Sequence, residues 1–145
     1  MKLLHLIVLF AMVPLTFAQD HWIQLERPTT QNLGKVCFID SLWGWVAGDS
    51  GLILKTTNGG ESWLSQQTGI PENIFDFFML DRSFGWALAL KYPQDTLSYG
   101  TLLLRTTNGG AYWNLVWSDT TKHLIDVSFI NPDTGTAVAA GGTVL

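Results

Sequence analysis

Asp76 and Asp126 stand fifty residues apart in matching sequence surroundings, and Asp40 and Asp81 form a second matched pair. Two carboxylates facing each other across a cleft are what glycoside hydrolysis requires. A carboxylate that recurs in register is nevertheless explained first by folding, so Asp40 and Asp81 read as turn-formers. Asp76 and Asp126 read as equivalent points near the start of a strand. Asp49 breaks the pattern, because Ala140 occupies its place in a later copy. It reads as a turn residue, with a ligand or ion contact as the sharper alternative. His21 and His123 lack a Cys, His or carboxylate at metal-ligand spacing, and Glu61 and Glu72 read as solvated loop charges, so neither a metal nor a cofactor is expected. Cys37 is the only cysteine, which excludes an internal disulfide; between Val36 and Phe38 it reads as a small buried hydrophobe.

The elements that hold these side chains are repeats. Thr56-Thr57-Asn58-Gly59-Gly60-Glu61-Ser62-Trp63 returns as Thr106-Thr107-Asn108-Gly109-Gly110-Ala111-Tyr112-Trp113, each after an apolar run ending in a cation, Lys55 or Arg105. Eleven residues after Trp22, Trp63 and Trp113 come Leu33, Ile74 and Leu124, and five further on Phe38, Met79 and Phe129. Asp40, Asp81 or Asn131 then precedes Gly44, Gly85 or Gly135 by four residues. An Asx side chain bonds its own backbone, so Asx-x-x-x-Gly between apolar runs predicts a hairpin. The tryptophans are 41 and then 50 residues apart, and the nine extra residues fall at 91–99.

One period predicts four short strands, roughly Lys35–Ile39, Gly44–Gly48, Leu52–Thr56 and Ser62–Gln66 in the first full copy. Four antiparallel strands per unit of about 40–45 residues predict an all-β fold, a β-propeller blade repeated around an axis. Apolar runs such as Leu102-Leu103-Leu104 fit sheets covered on both faces. The blades divide as 32–69, 70–119 with its insertion 91–99, and 120–145, preceded at 19–31 by the closing strand of an incomplete blade. Two to three blades fall short of the four that a closed propeller needs, so the expectation is an N-terminal fragment of a longer propeller.

Thr56, Asn58, Gly60, Ser62 and Trp63 match the Asp-box, or bacterial neuraminidase repeat; the copy at 106–113 matches except at Tyr112. With Gly44-Trp45-Val46-Ala47-Gly48 and Gly85-Trp86-Ala87-Leu88, residues 22–145 resemble the photosystem II stability/assembly-factor propellers; Thr136 departs where a tryptophan would stand. The box has a mechanical reading. Asn58 and Asn108 accept backbone N–H groups across the turn, Gly59-Gly60 and Gly109-Gly110 supply positive φ, and Trp63 and Trp113 lie between blades. Thr56 and Thr106 belong to the same structural set. Loss of either tryptophan to alanine is expected to cost about 3–5 kcal/mol.

The resemblance implies a non-catalytic scaffold for a protein or other macromolecule, in the relatives one that assists photosystem II assembly. It also admits a sialidase-like hydrolase whose catalytic groups lie outside this stretch, or a glycan-binding surface module. A sialidase needs three arginines around a carboxylate. Here Arg105 repeats Lys55, Arg82 lies in a turn and Arg27 precedes Pro28, so none is assigned to a clamp. The insertion places Lys91, Tyr92, Asp95 and Tyr99 on a scaffolded loop, the candidate recognition loop.

Met1-Lys2, the apolar stretch Leu3 to Leu15 and small residues at Thr16 and Ala18 predict a secretory signal cleaved after Ala18, too short for a stable membrane span. A secreted or periplasmic location follows. Eight Lys and Arg against twelve Asp and Glu, a net charge of −4, leave no basic stripe for nucleic acid.

Overall fold

The computed structural model describes residues 24–91 and 100–145. The leader at 1–18, His21, Trp22, and Tyr92, Pro93, Asp95 and Tyr99 of the insertion lie outside the described residues. Among the described residues, eleven strands make three antiparallel sheets. The first is β1 (Leu33–Phe38), β2 (Gly44–Gly48), β3 (Ile53–Thr56) and β4 (Leu64–Gln66) in chain order. The second is β5 (Ile74–Met79), β6 (Gly85–Lys91), β7 (Gly100–Thr106) and β8 (Asn114–Asp119). The third holds β9 (Leu124–Asn131), β10 (Thr134–Ala139) and β11 (Thr143–Val144). The first strands pack side by side, β1 on β5 and β5 on β9, and so mark the axis. The described residues form part of a β-propeller.

Register repeats with sequence. Gly44 opposes Thr56 as Gly85 opposes Thr106, and Trp45 opposes Lys55 as Trp86 opposes Arg105. A bulge recurs near the start of each inner strand, between Leu33 and Lys35, between Ile74 and Asp76, and opposite Val138 and Ala139 in the third sheet. Each Asx turn is closed by its own side chain: Asp40 Oδ1 accepts from the N–H groups of Leu42 and Trp43, and Asp81 Oδ1 from those of Ser83 and Phe84.

Strand ends differ from the expected bounds for local reasons. Residues 49–51 form a single 3-10 turn, so β3 begins at Ile53 rather than Leu52. The N–H of Ser62 is taken by Asn58 Oδ1, which delays β4 to Leu64. The first strand starts earlier, at Leu33, and ends at Phe38, where Ile39 N–H turns to the Trp43 carbonyl.

Burial lies between sheets. Trp45, Ala47 and Ile53 of the first sheet meet Ile74, Phe77, Met79, Ala87, Leu104 and Trp113 of the second. The alternate residues of the second sheet, Trp86 and Leu88, meet Leu124, Val127 and Ala139 of the third, with Trp86 stacked on Phe129 at 3.6 Å. Strand β6 is therefore covered on both faces through Ala89, which explains its unbroken apolar run. Cys37 is half-buried rather than enclosed, packed at the margin of the first core.

The two box tryptophans part company. Trp113 is 6% exposed because the first sheet lies on it. Trp63 is only half-buried, edge-on to Phe38 with its rings 6.2 Å apart, since its side of the first sheet carries no neighbouring sheet among the described residues. Trp113→Ala is expected to lower the unfolding free energy by about 3–5 kcal/mol in urea titrations. Trp63→Ala is expected to cost clearly less, and equal losses would contradict this account of burial.

Candidate functional site

The box turn is the unit from which the candidate site is built. Thr56 Oγ1 accepts from the N–H groups of Asn58 and Gly60 and donates to Asn58 Oδ1, while Asn58 Oδ1 also receives Ser62 N–H. The second box repeats this with Thr106, Asn108, Gly110 and Tyr112. Only the first adds a side-chain bond, Asn58 Nδ2 to Ser62 Oγ at 2.9 Å; Tyr112 cannot supply it and stands 70% exposed. The glycine pairs sit at positive φ, 73° and 95° in the first box and 68° and 91° in the second, where a Cβ is strained. Gly59 N–H donates to the Leu42 carbonyl and Gly109 N–H to that of Ser83, so each box is tied to the Asx turn of its own sheet.

The second box also reaches the first sheet. The Gly109 carbonyl accepts Lys55 Nζ at 3.0 Å and Trp45 Nε1 at 3.4 Å. With its amide nitrogen turned to the box, Gln66 donates to the Gly110 carbonyl at 2.5 Å and, as a third donor, to that of Gly109 at 3.2 Å. Partial burial holds the Lys55 ammonium below its usual pKa. Its repeat partner Arg105 spreads over Phe84 and Trp86 instead.

Above this junction lies a cluster of cations and aromatics. Lys55 Nζ is 4.6 Å from the centre of the Trp43 ring and the Arg82 guanidinium 4.7 Å from it. Arg82 Nη2 donates to Asp40 Oδ2 at 2.8 Å, crossing from the second sheet to the first. That bond, with the two turn N–H groups, lowers the Asp40 pKa to about 2. Leu42, next to Trp43 in sequence, is 52% exposed.

A second polar row follows the axis. Lys35 on β1 pairs with Asp76 on β5, and Asp126 on β9 is near enough to raise the Asp76 pKa. Burial raises the Asp76 pKa and Asp126 reinforces the rise, against the pull of Lys35; the same ion pair raises Lys35. The proton on Asp76 is held more tightly in the folded chain. This carboxyl therefore favours the fold below pH 3.8 and withdraws that contribution as pH rises through its raised pKa. Asp76 is buried and paired with Lys35 and does not face an open cleft. The arginines do not converge either: Arg82 is on Asp40 and Arg105 over Trp86, 3.6 Å from Asp133, while Arg27 is exposed in a loop. Among the described residues no group of three His, Cys, Asp or Glu could hold a metal ion.

Residues 15–116 match the family model of the photosynthesis system II assembly factor YCF48. The chain belongs to this family. Among solved structures it is similar to a chain described as YCF48 bound to D1 peptide, with a TM-score of 0.65 at 20% identity. The likeness covers 84% of this chain and 38% of that one, so the chain spans well under half the length of that relative. No curated protein matches.

In this YCF48-family chain the recognition-loop residues are divided by what is described. Lys91 is half-buried at the end of β6, paired with Gly100, while Tyr92, Asp95 and Tyr99 lie outside the described residues. Asp49 accepts the Asn32 side-chain amide at 2.8 Å, a turn contact. Sequence reasoning passed over Arg82 and Lys35. The usable signal was departure from the repeat: Arg82 stands where the first copy has Ser41, and Lys35 where later copies have Asp76 and Asp126.

Asp40 binds its proton less tightly when folded, so the stability it adds is complete above pH 3.8 and is lost as pH falls toward about 2. Carboxyl-detected NMR titration is expected to show this depressed pKa, and Arg82→Ala to return it toward the ordinary aspartate value. An unchanged titration in Arg82→Ala would show that the bond between sheets does not form in solution.

Proposed function

We propose that this chain acts as an exported, non-catalytic platform that binds a segment of a partner protein. We place the contact on the seam between the first two sheets, at Leu42, Trp43 and Arg82. The observation that carries this reading is the Trp43 ring, in contact with the cations of both Lys55 and Arg82 and next in sequence to exposed Leu42. Aromatic and arginine side chains with an apolar neighbour are the groups that dominate protein contacts. Family membership supports an assembly or binding role, and a relative of the same fold is recorded with a D1 peptide bound. The apolar leader ending at Ala18 supports export. The fit of Asp76 to Asp126 and Lys35, rather than to a cleft, supports a role without hydrolysis.

Calorimetric titration of the chain with a D1 peptide tests this reading. Saturable binding is expected, weakened about tenfold or more by Trp43→Ala, as for a central aromatic contact. Binding that survives both Trp43→Ala and Arg82→Ala would move the site elsewhere. Sustained turnover of a fluorogenic sialoside would overturn the non-catalytic assignment.

A further inference from the structure

The two boxes share one turn and differ in how the asparagine amide is held. Asn58 is half-buried, and its Nδ2 donates to Ser62 Oγ at 2.9 Å. Asn108 is exposed, Tyr112 stands in the place of Ser62, and among the described residues Asn108 Nδ2 meets no acceptor. The oxygen of the same amide is firmly held. Thr106 Oγ1 and the Tyr112 N–H both donate to Asn108 Oδ1, each at 3.0 Å. Two donors on one carbonyl oxygen stabilise the negative charge that grows there when a nucleophile attacks the carbon, as in an oxyanion hole. The nitrogen on that carbon is untethered.

The nucleophile is the next backbone nitrogen. Gly109 has no Cβ to shield it, so its nitrogen can close a five-membered ring on Asn108 Cγ. In the intact box the attack is restrained. Gly109 is buried, its N–H donates to the Ser83 carbonyl at 2.8 Å, and its own carbonyl is held by Trp45 and Lys55. Local opening of these contacts releases the nitrogen. The fold thus prepares the electrophile and withholds the nucleophile, and every group involved belongs to the first two sheets.

We infer that Asn108 is a site of hydrolytic deamidation, with water as the only co-reactant. Gly109 N bonds to Asn108 Cγ and gives up its proton; the Cγ–Nδ2 bond breaks, and the amide nitrogen takes a proton and departs as ammonia. Water then opens the cyclic imide at either carbonyl, giving aspartate or isoaspartate with no transfer of electrons. Aspartate keeps an oxygen for Thr106 and Tyr112 and adds a negative charge next to the glycine whose carbonyl Lys55 holds. Isoaspartate adds a methylene to the backbone immediately before Gly109, which shifts that carbonyl from Trp45 and Lys55. The modification therefore acts on the junction of the sheets and does not depend on the platform reading.

Prolonged incubation of the full 145-residue chain in mildly alkaline buffer, followed by mass spectrometry of the tryptic peptide 106–122, tests the inference. Conversion of Asn108 to a mixture of aspartate and isoaspartate is expected. Tyr112→Ser supplies the hydroxyl that the first box has, and is expected to slow conversion about fivefold, the worth of one hydrogen bond. Tyr112→Ala removes the ring without supplying a hydroxyl, and is expected to keep the wild-type rate. Tyr112 is 70% exposed, so neither variant disturbs the core. In urea-unfolded chains the difference between the variants is expected to vanish. A folded chain still unmodified at Asn108 when the unfolded chain has reacted overturns the inference. So does aspartate as the sole product, which excludes the ring, or equal slowing by serine and alanine, which removes the hydroxyl from the account.

Discussion

One backbone carbonyl joins the first two sheets. Gly109 O collects donors from Trp45, Lys55 and Gln66, three residues of a sheet to which it does not belong. A carbonyl has two lone pairs, so the three donors share one acceptor and are held to one geometry. The box turn makes this possible. Its threonine and asparagine side chains satisfy the turn's own N–H groups, which leaves the glycine carbonyl free to point outward. The tryptophan that ends the box then enters the core beneath the contact. Polar latch and apolar filling are adjacent, so neither can be lost without loosening the other.

The same construction places the functional surface. Because the second box grips the first sheet, the Asx turns of both come to one end of the seam, and Arg82 can reach Asp40 and Trp43. Lys55 serves both purposes, holding Gly109 on one side and facing the Trp43 ring on the other. On the axis, inner strands bring opposite and like charges into one row, where burial and Asp126 raise the Asp76 pKa and Lys35 opposes them. That row uses its carboxylates on each other and on a lysine. A recognition surface on the seam and a polar filling on the axis are two consequences of one repeat.

Much of this was legible in the sequence, because repetition shows a fold several times over. Box, Asx turn and Gly-Trp strand marked the hairpins of the first two sheets, and the internal bonds of Thr56 and Asn58 are local enough to read from eight residues. Contacts between sheets were not legible. The half-burial of Trp63 depends on which side has a neighbour, and nothing in its own octapeptide differs enough from that of Trp113 to show it. Arg82 looked like an ordinary turn residue, since its partners lie about forty positions away in another sheet. Asp76 and Asp126 were recognised as equivalent positions, but their approach follows from how inner strands converge on the axis. Family membership came from the motif, while the seam came from the packing.

The shared acceptor is tested most directly by a double-mutant cycle on Trp45→Phe, which removes only the indole donor, and Lys55→Met, which removes only the ammonium. Urea unfolding of the wild type, the two single variants and the double variant measures their coupling. If both donors bind Gly109 O, the losses are non-additive, with a coupling energy within about 0.5–3 kcal/mol. Losses that add to within about 0.3 kcal/mol would contradict the account, because two independent contacts would then stand where one carbonyl is held to join the sheets.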